Sequence, residues 1–343
     1  MAELAWPAGA PGLCCLACGE VLAPGGPGLT CAGCGRGYDV VEGIPDLRPE
    51  LAGFDVEADR ALAAELGAAA VTESFEELLV RYWRTRPEVD AARRARFVRG
   101  DLIGEDRAAE VAAQIEELVG PLPPGPVLEL GAGTAALGTV LARRAPAVVV
   151  SDVSLSWLVL ARHRVAAAGL ANVAVVACTA ARLPFGPGSF DLVVGADVIE
   201  HVPDGAGLVE AAWQVLRPGA SLWLSTPNRL SLTPEPHVRL LGVGWLPRRW
   251  ARAYVRRFRG IDYADVTTLS LAGLRRLLSR PGGSVEVVAP GIAGAVRSTY
   301  GPSGRALISA YDAARRLPVL GRAVRVVSPL FHARLTKPLA GGG

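Results

Sequence analysis

Three sets of residues in this chain have the types and spacing to do chemistry. The first is Cys15-Leu16-Ala17-Cys18 and Cys31-Ala32-Gly33-Cys34, two CxxC pairs with twelve residues between them. Each pair puts two thiolates on one tight turn, and two such turns facing each other offer four sulfurs to a tetrahedral Zn²⁺. Four thiolates leave no open position on the ion, so Cys15, Cys18, Cys31 and Cys34 are expected to hold a structural metal, with Cys14 a spare thiol beside them. The second set is Glu129-Leu130-Gly131-Ala132-Gly133-Thr134, closing the apolar run that begins at Val127. Glycines at a strand-to-helix turn let the backbone approach a ligand with no Cβ in the way, and the free N–H groups beyond them face an anionic group. The third is His201 and His237, each in a segment following a predicted strand. Imidazole is the side chain best matched to proton transfer near neutral pH.

Two cofactors fit the glycine turn. Gly131-x-Gly133-x-x-Ala136 satisfies a loose dinucleotide pattern, and Asp152 lies about 20 residues on, where a ribose-binding acid belongs. Glu129 argues against a dinucleotide, because a carboxylate pointing into the turn repels a pyrophosphate. It suits a cofactor that carries an ammonium group. S-adenosylmethionine has an amino-acid tail: the N–H groups can take its carboxylate while Glu129 favours its ammonium, directly or through water.

A scaffold of alternating strands and helices must position these groups. Strands are predicted at 127–130, 147–151, 172–178, 190–195, 220–226, 284–289 and 331–336, with helices between them, two of them capped by Ser154 and Asp204 and a third over 270–280. The alternation is the signature of an α/β, doubly wound, Rossmann-like sheet, here seven-stranded. Residues 1–50 form a module of their own, 51–120 read as amphipathic helices, and the main domain covers 121–340 after the stiff linker Pro121–Pro126. In the helical part Ser74-x-x-Glu77 is a capping box, Pro87 suits a helix start, and Asp106 is placed to cap a helix ending at Gly120. These helices either pack on the main domain or form a lid over the substrate. Helical insertions are expected at about 227–268 and 293–328, and Gly341–Gly343 as a flexible end. The first insertion follows strand five, so it emerges on the cofactor side and carries His237. Its helix has arginines at 248, 249, 252, 256, 257 and 259, with Trp250, Tyr254 and Phe258 as a packing stripe. The arginines read as a solvated face, or as a contact for an anionic acceptor or a membrane surface.

Motif order extends the reading. Glu129-x-Gly131-x-Gly133, Val150-Ser151-Asp152, Leu183-Pro184-Phe185, Ser189-Phe190-Asp191-Leu192-Val193, Val198-Ile199-Glu200-His201-Val202 and Leu216-Arg217-Pro218-Gly219 together resemble a class I S-adenosylmethionine-dependent methyltransferase, of the type 11 kind. The resemblance implies cofactor contacts at Glu129, Gly131, Gly133 and Asp152, with Ala132, Thr134 and Val153 as their loop neighbours. It also implies adenine contacts at Thr179 and Ala180, and a contact after strand four at Asp197. Two positions depart from the family: Ala135 stands where its turn has a third glycine, and Thr179 where an acid faces the adenine amine. The cysteine pairs with Tyr38–Leu47 resemble the small zinc-ribbon family that acts as a methyltransferase activator or is fused to methyltransferases. Scaffolding is the expected role of this ribbon, since no basic and aromatic residues interleave on it as RNA binding would ask.

Methyl transfer to a hydroxyl needs a base, and His201 and His237 are the candidates; His163 and His332 are expected to be structural. A small-molecule, sugar or lipid-linked glycan acceptor is the first reading, and rRNA or tRNA the alternative. Gly195-Ala196-Asp197-Val198 lacks the Pro-Pro-aromatic turn that clamps a base amine. A non-catalytic partner protein with a cofactor pocket is the third. Composition sets bounds: 343 residues, half of them apolar, allow a sizeable core, and a net charge of +3 gives no sign of nucleic-acid binding. No apolar run is long enough to span a membrane, no secretory signal is evident, and paired CxxC cysteines suit a reducing compartment, so a cytoplasmic location is expected.

Overall fold

Runs such as Val148-Val149-Val150 and Val173-Ala174-Val175-Val176 are apolar at every residue, which suits strands covered on both faces, and all of these residues are buried. They belong to a computed structural model that describes residues 6–292, 294, 297 and 301–339. Its strands are β1 (Leu22–Gly25), β2 (Gly28–Cys31), β3 (Gly37–Val41), β4 (Ile44–Asp46), β5 (Val127–Leu130), β6 (Val148–Asp152), β7 (Val173–Ala177), β8 (Phe190–Ala196), β9 (Leu216–Pro227), β10 (Ser284–Val288) and β11 (Leu330–Thr336). They form one sheet in the order β1-β2-β3-β4-β7-β6-β5-β8-β9-β11-β10. Strands β5 to β9 run parallel, and β11 is antiparallel to both neighbours. Chain order reverses at β5, between β6 and β8, which is where an open α/β sheet opens a ligand crevice at its carboxyl edge.

The expected seven strands are present, but the sheet has eleven among the described residues. The difference comes from the ribbon. Strand β4 lies parallel to β7 with Asp46 opposite Ala177, and the Leu47 N–H donates to the Ala177 carbonyl at 2.8 Å. The ribbon therefore continues the main sheet, and it covers the Ala177 end of the β7 edge, which would otherwise expose unpaired backbone groups.

Helices α1 (Val56–Ala69), α2 (Phe75–Arg84), α3 (Ala91–Leu102) and α4 (Gly104–Val119) occupy the segment before the main sheet. Leu66, Leu78, Leu79 and Ile115 share one buried cluster with Val127, Val148, Val150 and Trp223, so these helices are part of the core. The capping box holds: Ser74 Oγ accepts from the Glu77 N–H and Glu77 Oε2 accepts from the Ser74 N–H. Two expected starts do not. Asp90, not Pro87, caps α3 by accepting from the Arg93 N–H at 2.9 Å. Asp106 lies inside the first turn of α4, whose cap residue is Ile103 with no side-chain bond; an acid there still favours the positive end of the helix.

In the main domain α5 (Ala136–Ala142) and α6 (Leu155–Ala167) follow β5 and β6, and α7 (Gly205–Val215) and α9 (Leu271–Leu278) flank the other half, with Ser154 and Asp204 capping as expected and Ser270 capping α9. Between β9 and α9 the insertion folds on its own small core of Val238, Val243, Ala251, Val255 and Tyr263, which includes α8 (Arg248–Arg259). The inner face of α8 is narrow, Ala251 and Val255 only, so the aromatic stripe turns out differently from expectation: Trp250 and Phe258 are 56% and 58% exposed. Helices α10 (Pro302–Arg316) and α11 (Pro318–Val327) make the second insertion, whose first residue, 293, and Gly341–Gly343 lie outside the described residues. Among the described residues no helix is long and apolar enough to cross a membrane.

Candidate active site

The turn after β5 takes left-handed backbone at Gly131 (φ 65°), Gly133 (φ 52°) and Ala135 (φ 55°). At Gly131 a Cβ would stand 2.5 Å from a Val198 methyl, so only glycine fits beside the segment after β8. Ala135 holds the conformation that the family's third glycine adopts freely, at a cost of about 1–2 kcal/mol. The Thr134 hydroxyl is taken by Asp101 at 3.3 Å, and the Arg164 Nε donates to the Thr134 carbonyl at 2.9 Å. Ala132 is buried in the turn, its N–H bonded to the Ser151 carbonyl.

Asp152, at the end of β6, ties two loops together: its carboxylate accepts from the Gly133 N–H at 2.9 Å and the Ser154 N–H at 2.8 Å. Burial raises its pKa against these two bonds. Val153 follows it, with its carbonyl held by Arg48 at 2.9 Å. Glu129 is placed differently from the sequence expectation. It does not stand at the mouth of the turn but is 4% exposed and lies beneath α5, where a Cβ on Gly138 would come within 2.6 Å of Oε2. Burial, with Asp152 adding to it, pushes its carboxyl up to about 8, and Oε2 has no hydrogen-bond partner. A buried, unpartnered carboxyl oxygen beneath the turn is an acceptor waiting for a donor.

Just after β7, Cys178 is buried, and burial raises its thiol to about 12. Thr179 and Ala180 sit in a short turn closed by the Arg182 N–H on the Thr179 carbonyl. Asp197, after β8, has φ 52°, an unusual value for a non-glycine residue, and Ser225 Oγ donates to its carboxylate at 2.9 Å. Strain of this kind concentrates at functional sites.

The two histidines, 36 residues apart in sequence, meet: His201 Nε2 and His237 Nε2 are 3.1 Å apart, with the rings edge to face. On the other side of His237, Nδ1 lies 2.5 Å from Glu235 Oε1, and Glu235 Oε2 accepts from the Val238 N–H. Burial and the neighbouring imidazole lower the His201 pKa. Burial alone would also lower that of His237, but the Glu235 carboxylate leaves it above the ordinary value. Glu200, 1% exposed and bonded through Oε2 to the Thr226 hydroxyl, is pushed up to about 7 by burial and by Asp197, and its Oε1 has no partner. The ligand atoms of Glu200, His201 and His237 lie within 4.8 Å of one another, compact enough to hold a divalent cation. As expected, His163 and His332 stand apart, the first stacked on Phe75, the second buried against Trp223 with burial lowering it to about 4. The sequence reading missed Glu235 and the contribution of Glu200. An acid two residues before His237 was the available signal for the first.

In the ribbon the four cysteines cluster as their spacing predicts, with Cys15 and Cys34 sulfurs 3.6 Å apart and Cys18 and Cys31 sulfurs 3.3 Å apart. Tetrahedral zinc at about 2.3 Å from each sulfur asks for separations of this order. The Tyr38 hydroxyl, 3.2 Å from Cys15 Sγ, helps bring that thiol down to about 6. Cys14 stays outside the cluster, its N–H on the Pro184 carbonyl.

Switch-point crevice, glycine turn and acidic strand ends define an open α/β domain built to take a ligand at its carboxyl edge. Comparison with known proteins narrows the class. Residues 128–224 match the family profile of a methyltransferase domain. A ubiquinone biosynthesis O-methyltransferase of Hahella chejuensis is 34% identical over 158 residues, covering 46% of this chain and 60% of that protein. Its counterpart in Leptothrix cholodnii is 34% identical over 116 residues, covering 34% of this chain and 49% of that protein. The chain thus spans about half the length of these relatives. Among solved structures, Haemonchus contortus phosphoethanolamine N-methyltransferase 2 in complex with S-adenosyl-L-methionine is similar at a TM-score of 0.45 and 17% identity, over 66% of this chain and 52% of that one. The family match places a methyltransferase domain over residues 128–224.

Proposed function

We propose that this protein transfers the methyl group of S-adenosylmethionine to a hydroxyl of a small-molecule acceptor, with the His201–His237 pair as general base and Glu235 as its orienting acid. The observation that carries the reading is the continuous chain Glu235–His237–His201, assembled from the turn after β8 and the insertion after β9. A bound S-adenosylmethionine supplies an activated methyl on its sulfonium. The residues then align and deprotonate. Glu129 offers its unpartnered oxygen to the ammonium of the amino-acid tail, directly or through water, while the Ala132 and Gly133 N–H groups, bonded to the Ser151 carbonyl and the Asp152 carboxylate, brace the turn beside it. Asp152 accepts from the ribose hydroxyls, Thr179 and Ala180 border the adenine, and Asp197 lines the crevice above Gly131. When the acceptor oxygen attacks in line, the imidazole pair takes its proton, and Glu235 stabilises the imidazolium that forms. The O-methyltransferase names of the relatives support a hydroxyl acceptor. The zinc ribbon acts as a scaffold, held by one ion at Cys15, Cys18, Cys31 and Cys34.

Calorimetry tests the cofactor reading. S-adenosylhomocysteine is expected to bind and NAD to leave no signal, and Glu129→Gln is expected to weaken binding about tenfold, the scale of one hydrogen bond to a charged group. Tight NAD binding, or no binding of either compound, overturns it and leaves a non-catalytic role. Turnover of phenolic and sugar hydroxyl acceptors, compared with RNA, then separates the acceptor classes.

The clustering of Glu200, His201 and His237 supports a second reading, in which these residues hold a divalent cation beside the acceptor oxygen. Under it, turnover rises when Mg²⁺ or Mn²⁺ is added to protein whose ribbon zinc is intact. Under the general-base reading, those ions leave turnover unchanged.

A further inference from the structure

The ribbon touches the loops that border the proposed cofactor site in several places. The Leu16 carbonyl accepts from Arg182 at 2.6 Å, just beyond Thr179 and Ala180, and the Leu47 N–H is bonded to the last residue of β7. The third tie is ionic and buried. The Arg48 side chain is 0% exposed. Its Nε and Nη2 donate to the two oxygens of Asp46 at 2.8 and 2.7 Å, and its Nη1 donates both to Asp59 Oδ2 at 2.6 Å and to the Val153 carbonyl at 2.9 Å. Asp59, on α1, then gathers the loop after β6: it accepts from the Leu155 N–H at 2.7 Å, the Ser156 N–H at 3.3 Å, the Ser154 hydroxyl at 3.1 Å and the Ser156 hydroxyl at 2.6 Å.

A buried ion pair is a poor device for stability, because apolar residues of similar volume often replace it at no loss. What this one does is geometric. Its two ends grip residues 153–156, directly after Asp152. The Asp152 carboxylate is itself held by the N–H groups of Gly133 and Ser154, and the second of these lies within the gripped segment. A guanidinium fork can hold Asp46, Asp59 and a carbonyl at fixed angles, where an ammonium cannot.

We propose that Arg48 and Asp59 are positioning residues that fix the Asp152–Ser156 loop, so that the zinc ribbon sets how the ribose of the cofactor is bound. The inference rests on Asp152 being the ribose-binding acid of the proposed function. It assigns the ribbon a specific share in cofactor recognition, through named side chains, beyond scaffolding. Arg60 serves as an internal control: it also bonds Asp46, at 2.8 Å, and reaches Asp39 and Glu57, yet it makes no contact with the loop.

The experiment titrates S-adenosylhomocysteine and its 2′-deoxy analogue into the full chain by calorimetry, alongside thermal unfolding. The wild type is expected to prefer the parent compound about tenfold, the scale of one hydrogen bond to a carboxylate. Arg48→Lys, which keeps the charge and loses the fork, is expected to weaken the parent compound about tenfold and bring the ratio near one, with kcat at saturating cofactor within about twofold. Arg60→Met is expected to lower the melting temperature and keep the ratio. Should Arg48→Lys fail to fold, Asp59→Asn is read in the same way. A wild type that binds neither compound removes the cofactor reading and this inference with it, and one that binds both equally removes Asp152 as the ribose acid and so this inference alone. A wild type that discriminates, with the ratio retained in folded Arg48→Lys or lost equally in Arg60→Met, overturns this inference alone.

Discussion

Replacing His237 with Ala is expected to lower kcat by about 10²–10⁴-fold, the usual contribution of a positioned general base, with S-adenosylhomocysteine binding unchanged. His201→Ala should cost a similar factor, and the double variant little more than either alone, because residues acting as a unit are not additive. The pH profile carries the finer signature. The Glu235 carboxylate holds the His237 pKa above its ordinary value, while burial and the adjacent imidazole hold His201 below. Below the higher of the two the pair carries an extra proton and cannot take one from the acceptor. Turnover should therefore rise with pH and level off once that proton is lost, with an apparent pKa that belongs to the pair. Glu235→Gln removes the anion that favours the imidazolium, so the acid limb should move to lower pH while kcat falls. Retained turnover in both single histidine variants would show that the pair is not the base.

The ribbon gives the second large effect. One zinc per chain is expected by elemental analysis, and Cys31→Ser should abolish it, since Cys31 is 1% exposed and supplies one of four ligands. Structural zinc in small ribbons contributes about 10–16 kcal/mol of apparent binding energy that is also folding energy. Its loss should therefore unfold β1–β3 and loosen β4, leaving Ile44 and Leu47, both 0% exposed, without cover. A lowered melting temperature and reduced cofactor affinity should appear together, and chelation of the wild type should reproduce both. A Cys31→Ser chain that keeps its metal and melts like the wild type would remove zinc from the account.

Much of this architecture was legible because local signals and global fold agree. Valine-rich runs could only be covered strands, Ser74 and Glu77 could cap only one helix start, and the cysteine spacing brought four sulfurs together. The glycine turn was legible for the same reason: Gly131 has no room for a Cβ. What escaped depended on distance or depth. The parallel pairing of β4 with β7 rests on one register pair, with no pattern to announce it. The grip of Arg48 on Val153 spans 105 residues. Glu129 was read as an acid pointing into the turn and is found buried beneath α5, since alternation along a strand gives a side and not how far a long side chain turns under the next helix. Trp250 and Phe258 lie on the regular helical stripe that usually marks a buried face, but the insertion's core was too small to use them.

The β4–β7 seam also bears on how the chain can be cut. A fragment beginning near residue 51 would keep every motif of the methyltransferase domain and lose the strand that occupies the β7 border. It would bare the Ala177 end of β7 that β4 and Leu47 now occupy, a template for an extended peptide, including a second copy of itself. Such a fragment should self-associate in light scattering at concentrations where the intact chain does not. The ribbon is in this respect a built-in neighbour, covalently attached to the border it covers at Ala177.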